Sequence, residues 1–222
     1  MRLFVFSTLI LYILSFCLIG VYHTIKKDWL GMLSKNVLLV GLLTHTIALC
    51  IRTYESGHAP MLALYETLLF YSWSTVFVSA IVIFRYKERF SELITVPVAI
   101  LSIVFAQYNE MPAKPLTLIL KTIWFETHVI TSFAAYALFT LSFAGAVLYL
   151  VYDFIILRYS NPLLKKDFQD IANRSTLWGF FFFSVSMFAG AVWAYLAWGT
   201  YWLWEPKVIW SFIVWFYYAG AM

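Results

Sequence analysis

Long apolar stretches separated by short polar segments dominate this chain. Residues 3–22, LFVFSTLILYILSFCLIGVY, form the first and contain no charged residue. A membrane-spanning helix needs about 20 mainly apolar residues. Because an open sheet cannot satisfy its backbone hydrogen bonds in lipid, each stretch predicts a helix. The further spans are predicted at about 36–51, 62–84, 93–106, 129–157, 177–197 and from 208 onward.

Two of these spans are short. The stretch at 93–106 contains Pro97, so it either dips into the membrane and returns or extends past Gln107. The stretch at 208–222 is apolar to its last residue, and as a helix it rises only about 22 Å, against a hydrocarbon core of roughly 30 Å. We therefore predict an all-α, polytopic bundle of about six or seven transmembrane helices. Residues 1–222 are interpreted as one integral membrane domain that stops within a span.

The distribution of basic residues predicts the orientation. Of the 15 Lys and Arg residues, ten fall on one side of the predicted spans and five on the other. Because Lys and Arg are enriched in cytoplasmic segments, the amino terminus is predicted to lie outside, with outer segments at 52–61, 107–128 and 198–207. The ten are Lys26, Lys27, Lys35, Arg85, Lys87, Arg89, Arg158, Lys165, Lys166 and Arg174.

Composition agrees with a membrane protein and argues against other classes. Hydrophobic residues make up 63% of the chain and charged residues 12%, about half the charged fraction of an ordinary soluble domain. The sequence has no Lys/Arg-rich run of the kind that binds nucleic acid. Cys17 and Cys50 lie in apolar stretches and are predicted to be buried thiols. The sequence contains no Cys-x-x-Cys-His motif for covalent haem attachment.

The densest chemical signal is the segment WGTYWLWEPK at 198–207. Trp198 and Trp202 are four residues apart, as are Tyr201 and Glu205, so a helical turn here would form an aromatic shelf with an acid at its rim. Such a shelf suits a large flat macrocycle, because indole rings supply broad contact area. The alternative is an interfacial tryptophan belt, but a belt would spread its indoles over several helix ends. Six of the ten tryptophans instead fall between residues 193 and 215: Trp193, Trp198, Trp202, Trp204, Trp210 and Trp215.

Two histidines are candidate ligands at the predicted outer face. His128, in Trp-Phe-Glu-Thr-His, stands at the outer mouth of the 129–157 span, where a neutral imidazole could ligate haem iron. His58, in Ser-Gly-His-Ala-Pro, is a secondary candidate. For both, a polar anchor at the membrane edge is the alternative. His45 lies within a span, where an interhelical hydrogen bond is the favoured interpretation, and the carboxylate of Glu66 is predicted to need a partner.

Together these residues resemble the CcsA (ResC) family of cytochrome c biogenesis proteins. The segment at 198–207 is similar to the tryptophan-rich outer loop of that family. The segment at 57–73 resembles its early outer loop and following helix, and the segment at 127–136 resembles the part that carries its first outer histidine. The resemblance covers roughly residues 36–222.

The resemblance implies a haem conduit that presents haem at the outer membrane face for thioether attachment to apocytochromes c. It implies a haem b that binds transiently and non-covalently, and a membrane partner of the CcsB (ResB) type. The membrane would be the cytoplasmic membrane or a thylakoid-type membrane. His128 would be an axial ligand of the haem iron. The haem shelf would consist of Trp198, Gly199, Tyr201, Trp202, Trp204 and Glu205.

Two departures from the family pattern bear on that expectation. Glu205 stands where the family usually has Asp, and this sequence has no histidine after His128 to match the later histidines of the family. The chain is therefore interpreted as lacking the carboxyl-terminal spans of the family. Two alternative functions remain: a haem exporter of the multi-subunit maturation route, and a structural or transport subunit that binds no haem. Whether the chain is an enzyme stays open; at most it is a subunit of a haem-attachment synthase that contributes positioning and axial ligation.

Overall fold

The computed structural model describes residues 1–86, 88–155 and 162–221, and within these ranges the chain is helical, with no strand. Seven α-helices and one short 3-10 helix follow one another. Their bounds are α1 Arg2–Ile25, α2 Asp28–Ser56, α3 Leu64–Tyr86, α4 Glu92–Tyr108, the 3-10 helix Leu118–Leu120, α5 Ile123–Ile155, α6 Pro162–Trp198 and α7 Pro206–Ala221.

The helices confirm a multi-pass membrane protein. Five of those described, α1, α2, α3, α5 and α6, are long and apolar enough to cross a membrane, and α4 is a shorter apolar helix. Pro97 lies inside α4 without ending it, so this segment extends past Gln107 rather than dipping and returning. The last helix, α7, has 16 residues. The orientation of the amino terminus stays a prediction.

The beginning of α6 differs from the sequence prediction. The helix begins at Pro162 rather than near residue 177. Its first turns are amphipathic, with Phe168 and Ile171 only 2% and 3% exposed among charged neighbours. Burial against protein rather than lipid stabilises these turns, which an apolar-stretch criterion overlooks. Helix α2 likewise begins earlier than predicted, at Asp28. Several basic residues that the sequence analysis assigned to loops consequently lie on helices: Lys35 on α2, and Lys165, Lys166 and Arg174 on α6.

Consecutive helices pack as pairs: α1 with α2, α3 with α4, and α5 with α6. Helix α3 connects the pairs through its contacts with α2 and α5. Small residues allow the close approach, as is common between helices in lipid. A Cβ added at Gly145 of α5 would lie 3.0 Å from backbone atoms of Phe168 and Ala172, so the two backbones nearly touch there.

Polar residues inside the bundle form bonds between helices. The Nδ1 atom of His45 on α2 lies 3.2 Å from the hydroxyl oxygen of Tyr12 on α1, which confirms the predicted interhelical hydrogen bond. The prediction that the cysteines are buried is wrong, because Cys17 and Cys50 are both exposed on the surface of the bundle. Lipid tails are as apolar as a protein core, so an apolar sequence context does not place a residue inside the bundle.

Candidate functional site

A buried ion pair organises the connection between α2 and α3. The Nε atom of Arg52 donates to Oε1 of Glu66 at 2.8 Å, and the side chains are 5% and 2% exposed. The other oxygen of Glu66 accepts the backbone N–H groups of Leu62 at 3.0 Å and Ala63 at 3.3 Å. Arg52 also donates through Nη2 to the carbonyl oxygen of Met111 at 3.0 Å. Glu66 thus has the partner it was predicted to need, and Arg52 ties three segments together.

His58 lies in the connection that follows α2 and is 8% exposed. Its Nδ1 lies 2.6 Å from the carbonyl oxygen of Ala59, and its Nε2 lies 2.8 Å from the carbonyl oxygen of Lys114. Because both ring nitrogens face backbone carbonyls, neither points a free lone pair at a metal in this arrangement. The geometry of His58 is that of a tie between the α2–α3 connection and the segment that precedes α5.

His128 lies near the start of α5 and packs against α6. Its Nδ1 is 2.8 Å from the carbonyl oxygen of Ser186. Since a carbonyl oxygen can only accept, Nδ1 carries the proton and Nε2 keeps its lone pair. The Ser186 hydroxyl donates to the backbone carbonyl of His128 at 3.1 Å, which adds a second tie between the two residues. The ring is therefore held in one tautomer, with Nε2 available as a ligand atom.

Gly190 creates the space that the His128 ring occupies. A Cβ added there would lie 2.6 Å from Nδ1 of His128 and 2.9 Å from its Cε1. Ser132, one turn after His128 on α5, completes the contact, because its Oγ lies 2.6 Å from Oγ of Ser186. Sequence reasoning identified His128 but not these partners. In the sequence, the only feature that marks these partners is that they are small residues in segments rich in aromatic side chains.

The tryptophan-rich segment is a loop rather than a helical turn. Helix α6 ends at Trp198 because Gly199 has φ 75°, a left-handed conformation that closes the helix. The next six residues are not helical, and α7 begins at Pro206, a residue suited to a first helical position. The prediction that Trp198 and Trp202 share a helical face is therefore wrong. Glu205 is exposed and immediately precedes α7.

The rings of this loop pack back onto both flanking helices. Tyr201 stacks on Tyr195 of α6 with ring centroids 4.5 Å apart and planes inclined by 11°. Trp202 and Trp204 pack against Phe212 of α7, with centroid distances of 4.8 and 5.9 Å. Tyr201 and Trp204 nevertheless remain 51% and 73% exposed. The loop thus presents an aromatic surface, although ring contacts rather than helical spacing arrange it.

A series of ring contacts joins this loop to the start of α5. Trp198 lies 4.8 Å from Trp193, which in turn lies 5.4 Å from Phe125, centroid to centroid. Lys207 lies at the start of α7, the helix that follows the loop. The predicted ligand and the aromatic loop therefore lie at the same end of α5 and α6. None of the described hydrogen bonds or ring contacts joins His128 to the loop directly.

This arrangement suits one kind of ligand better than others. Among the residues that the structure describes, no group of three or more His, Cys, Asp or Glu side chains could hold a bare metal ion. A single imidazole whose Nε2 makes no described hydrogen bond, at the same end of α5 and α6 as a loop with exposed aromatic rings, instead fits a planar macrocycle that carries its own metal. The donor set is therefore compatible with haem, with His128 as one axial ligand.

Comparison with known proteins places these residues in a wider group. The family model described as "Cytochrome C assembly protein" matches residues 61–222, which include His128 and the tryptophan-rich loop. The cytochrome c biogenesis protein CcsA of Mesostigma viride is 30% identical over 220 residues, covering 86% of this chain and 70% of that protein. CcsA of Guillardia theta is 29% identical over 229 residues, with 87% and 76% covered. CcsA of Prochlorococcus marinus (strain MIT 9312) is 28% identical over 232 residues, with 89% and 73% covered.

Proposed function

Because this chain belongs to the family of cytochrome c assembly proteins, we propose that it presents haem for attachment to apocytochromes c. A role in cytochrome c biogenesis follows from the family itself. Residues 1–222 would act as one integral membrane unit for handling haem.

The observation that carries the proposal is the fixed tautomer of His128. Its Nδ1 is committed to the Ser186 carbonyl oxygen at 2.8 Å, so Nε2 is the ring nitrogen that would ligate haem iron. Bound haem would supply the vinyl groups that accept the cysteine thiols of the apocytochrome. The protein's contribution would be orientation and axial ligation rather than acid–base chemistry.

The tryptophan-rich loop would hold the macrocycle. Its exposed rings offer apolar contact area, and the Lys207 ammonium offers positive charge for the carboxylates of haem. Because one imidazole and an aromatic surface form no covalent link, haem b would bind transiently and non-covalently. The residues of this shelf would be Trp198, Gly199, Tyr201, Trp202, Trp204 and Glu205.

The proposed location of the site is the outer face of the cytoplasmic or a thylakoid-type membrane. Support comes from the basic-residue count, which assigns 198–207 and the segment before α5 to the outer side. The proposed partners are an apocytochrome c and a CcsB-type membrane protein that holds it.

An absorption spectrum of the detergent-purified chain, alone and co-expressed with a CcsB-type partner, tests the proposal. We expect a Soret band that shifts or disappears in His128→Gly and returns when free imidazole is added. His58→Ala is the matched control, because it removes a histidine whose nitrogens both face carbonyl oxygens, and its Soret band should stay unchanged. Haem retention with an unaltered spectrum in His128→Gly, or no haem in either preparation, would contradict the proposal.

The aromatic loop is tested separately. The double variant Trp202→Ala with Trp204→Ala should lose most of its haem while the protein still inserts in the membrane. Trp29→Ala is the matched control, since Trp29 is also exposed but lies on α2, away from the loop. Full haem occupancy in the double variant would remove the loop from the binding site.

A further inference from the structure

A second site lies between α3, α5 and α6, where these helices enclose a lateral cleft of about 460 Å³. Its lining is mainly apolar and aromatic, with Trp73 and Phe77 from α3, Ile130 and Leu138 from α5, and Phe182 from α6. Part of this lining belongs to the exposed surface of the bundle: Phe77 is 43% exposed and Ile130 is 48% exposed. A ligand could therefore enter sideways from the lipid.

Two arginines line the same cleft, Arg85 near the end of α3 and Arg174 on α6. Both are exposed, and neither forms an ion pair with any acidic residue in the described parts of the chain. The other described arginines, Arg2, Arg52 and Arg89, each pair with a glutamate. Two cations without an acidic partner at one end of an apolar cleft are complementary to an anionic amphiphile.

On two of its three helices the cleft is about as long as one leaflet of a bilayer. Its lining runs from Ile130 to Leu141 along α5 and from Ile171 to Phe182 along α6, a rise of about 16 Å on each helix. On α3 it runs further, from Phe70 to Tyr86, a rise of about 24 Å. Half of the hydrocarbon core is about 15 Å. Val82, Leu141 and Ile171 form a small hydrophobic cluster at this junction, separate from the main core. An acyl chain in the cleft would cover that cluster.

The distribution of basic residues indicates which leaflet of the bilayer the cleft faces. Arg85 and Arg174 belong to the set of ten basic residues that lies on one side of the spans. Basic pockets between transmembrane helices on the basic-residue-rich side are suited to anionic lipid headgroups. We propose that the cleft binds one anionic phospholipid of that leaflet, with its phosphate at Arg85 and Arg174 and an acyl chain along the aromatic lining.

The chemistry of the lining distinguishes this site from the proposed haem site. The described lining includes no histidine, cysteine or methionine, which are the side chains that most often ligate haem iron. A phospholipid needs only an anionic head and an apolar chain, and the cleft offers a complement to both. The lipid would fill the gap between α3 and the α5–α6 pair, so its binding would stabilise the bundle.

Native mass spectrometry of the full chain, released from nanodiscs that contain phosphatidylglycerol and phosphatidylcholine in equal amounts, tests the proposal. We expect phosphatidylglycerol to be retained selectively. Replacing both arginines, Arg85→Gln with Arg174→Gln, should weaken retention about thirty-fold. The matched control replaces two exposed lysines on the same predicted side that do not line the cleft, Lys27→Gln with Lys166→Gln, and should leave retention unchanged.

A bulky substitution in the apolar lining tests whether the cleft holds the acyl chain of the lipid. Ala134 lines it from α5, and Ala134→Phe should expel the lipid while both arginines remain. Equal retention of the two lipids, or the same loss in the lysine control as in the arginine variant, would overturn the proposal. So would copurified haem that is lost from the arginine variant but not from His128→Gly, since the cleft would then hold haem instead. The lipid measurements themselves do not depend on whether His128 ligates haem.

Discussion

Replacing Glu66 with alanine removes the acceptor of three hydrogen bonds at once. These come from Nε of Arg52 at 2.8 Å and from the backbone N–H groups of Leu62 and Ala63 at 3.0 and 3.3 Å. The Arg52 side chain, 5% exposed, would keep only its bond to the Met111 carbonyl oxygen. An uncompensated buried charge of this kind costs about 3–5 kcal/mol. We therefore expect Glu66→Ala to lower the free energy of unfolding by that amount.

The matched double variant separates the charge from the packing. Arg52→Met with Glu66→Leu removes both charges and keeps most of the side-chain volume. Replacing a whole buried ion pair by apolar residues is often neutral, and the cost that remains is the lost acceptor of the Leu62 and Ala63 N–H groups. We therefore expect this variant to be more stable than Glu66→Ala. The control Arg2→Ala breaks a pair whose arginine is 83% exposed, and its unfolding should match that of the parent.

The assay is reversible unfolding by denaturing detergent in mixed micelles, followed by far-ultraviolet circular dichroism. Parent, Glu66→Leu, Arg52→Met and the double variant that combines these two substitutions form a thermodynamic cycle that isolates the coupling of the two side chains. A free energy of unfolding for Glu66→Ala equal to that of the parent would refute the reasoning. So would a double variant as unstable as the less stable single variant, because the cost would then not come from the unpaired charge.

Three further predictions concern α6 and α7. Gly190→Ala should lower the free energy of unfolding by about 1–3 kcal/mol and shift the Soret band, because the new Cβ would lie 2.6 Å from Nδ1 of His128. An unshifted band would mean that the ring does not move. Ser186→Ala keeps the backbone carbonyl that fixes the tautomer, so it should leave the Soret band unchanged while costing about 1 kcal/mol in unfolding. Trp215→Phe loses the indole N–H bond to the Ser184 hydroxyl at 2.9 Å, so α7 should detach more readily and limited proteolysis at 199–205 should be faster; an unchanged cleavage rate would show that this bond does not hold α7.

Much of the helical architecture could be predicted from the sequence because lipid imposes a simple constraint. A chain that cannot satisfy its backbone in lipid must form helices, so apolar length located α1 and α3 to within a few residues. The same criterion placed the start of α6 too late. Its early turns hold charged residues on one face and Phe168 and Ile171 on the other, so they depend on tertiary burial that hydropathy alone does not register.

The site was only partly predictable. His128 could be selected as a candidate from its residue type and its position at the end of a predicted span. Its partners Ser186 and Gly190 lie more than fifty residues later and meet it only through the packing of α5 against α6. The sequence of the tryptophan-rich segment does indicate a loop, although the four-residue spacing of its aromatic residues favoured a helical turn. Gly199 and Pro206 are residues typical of a helix end and a helix beginning.

The bond from Arg52 to the Met111 carbonyl has a consequence for the order in which the protein is made. Its acceptor lies 59 residues after the arginine, whereas Glu66 lies only 14 residues after it. At a synthesis rate of about 5–20 residues per second, the glutamate follows the arginine within about 1–3 s and the carbonyl only after about 3–12 s. During that interval α3 and α4 must insert and return the chain to the same side. Final closure of this end of the bundle therefore waits for α4, the helix that contains Pro97, and its insertion completes the amino-terminal half.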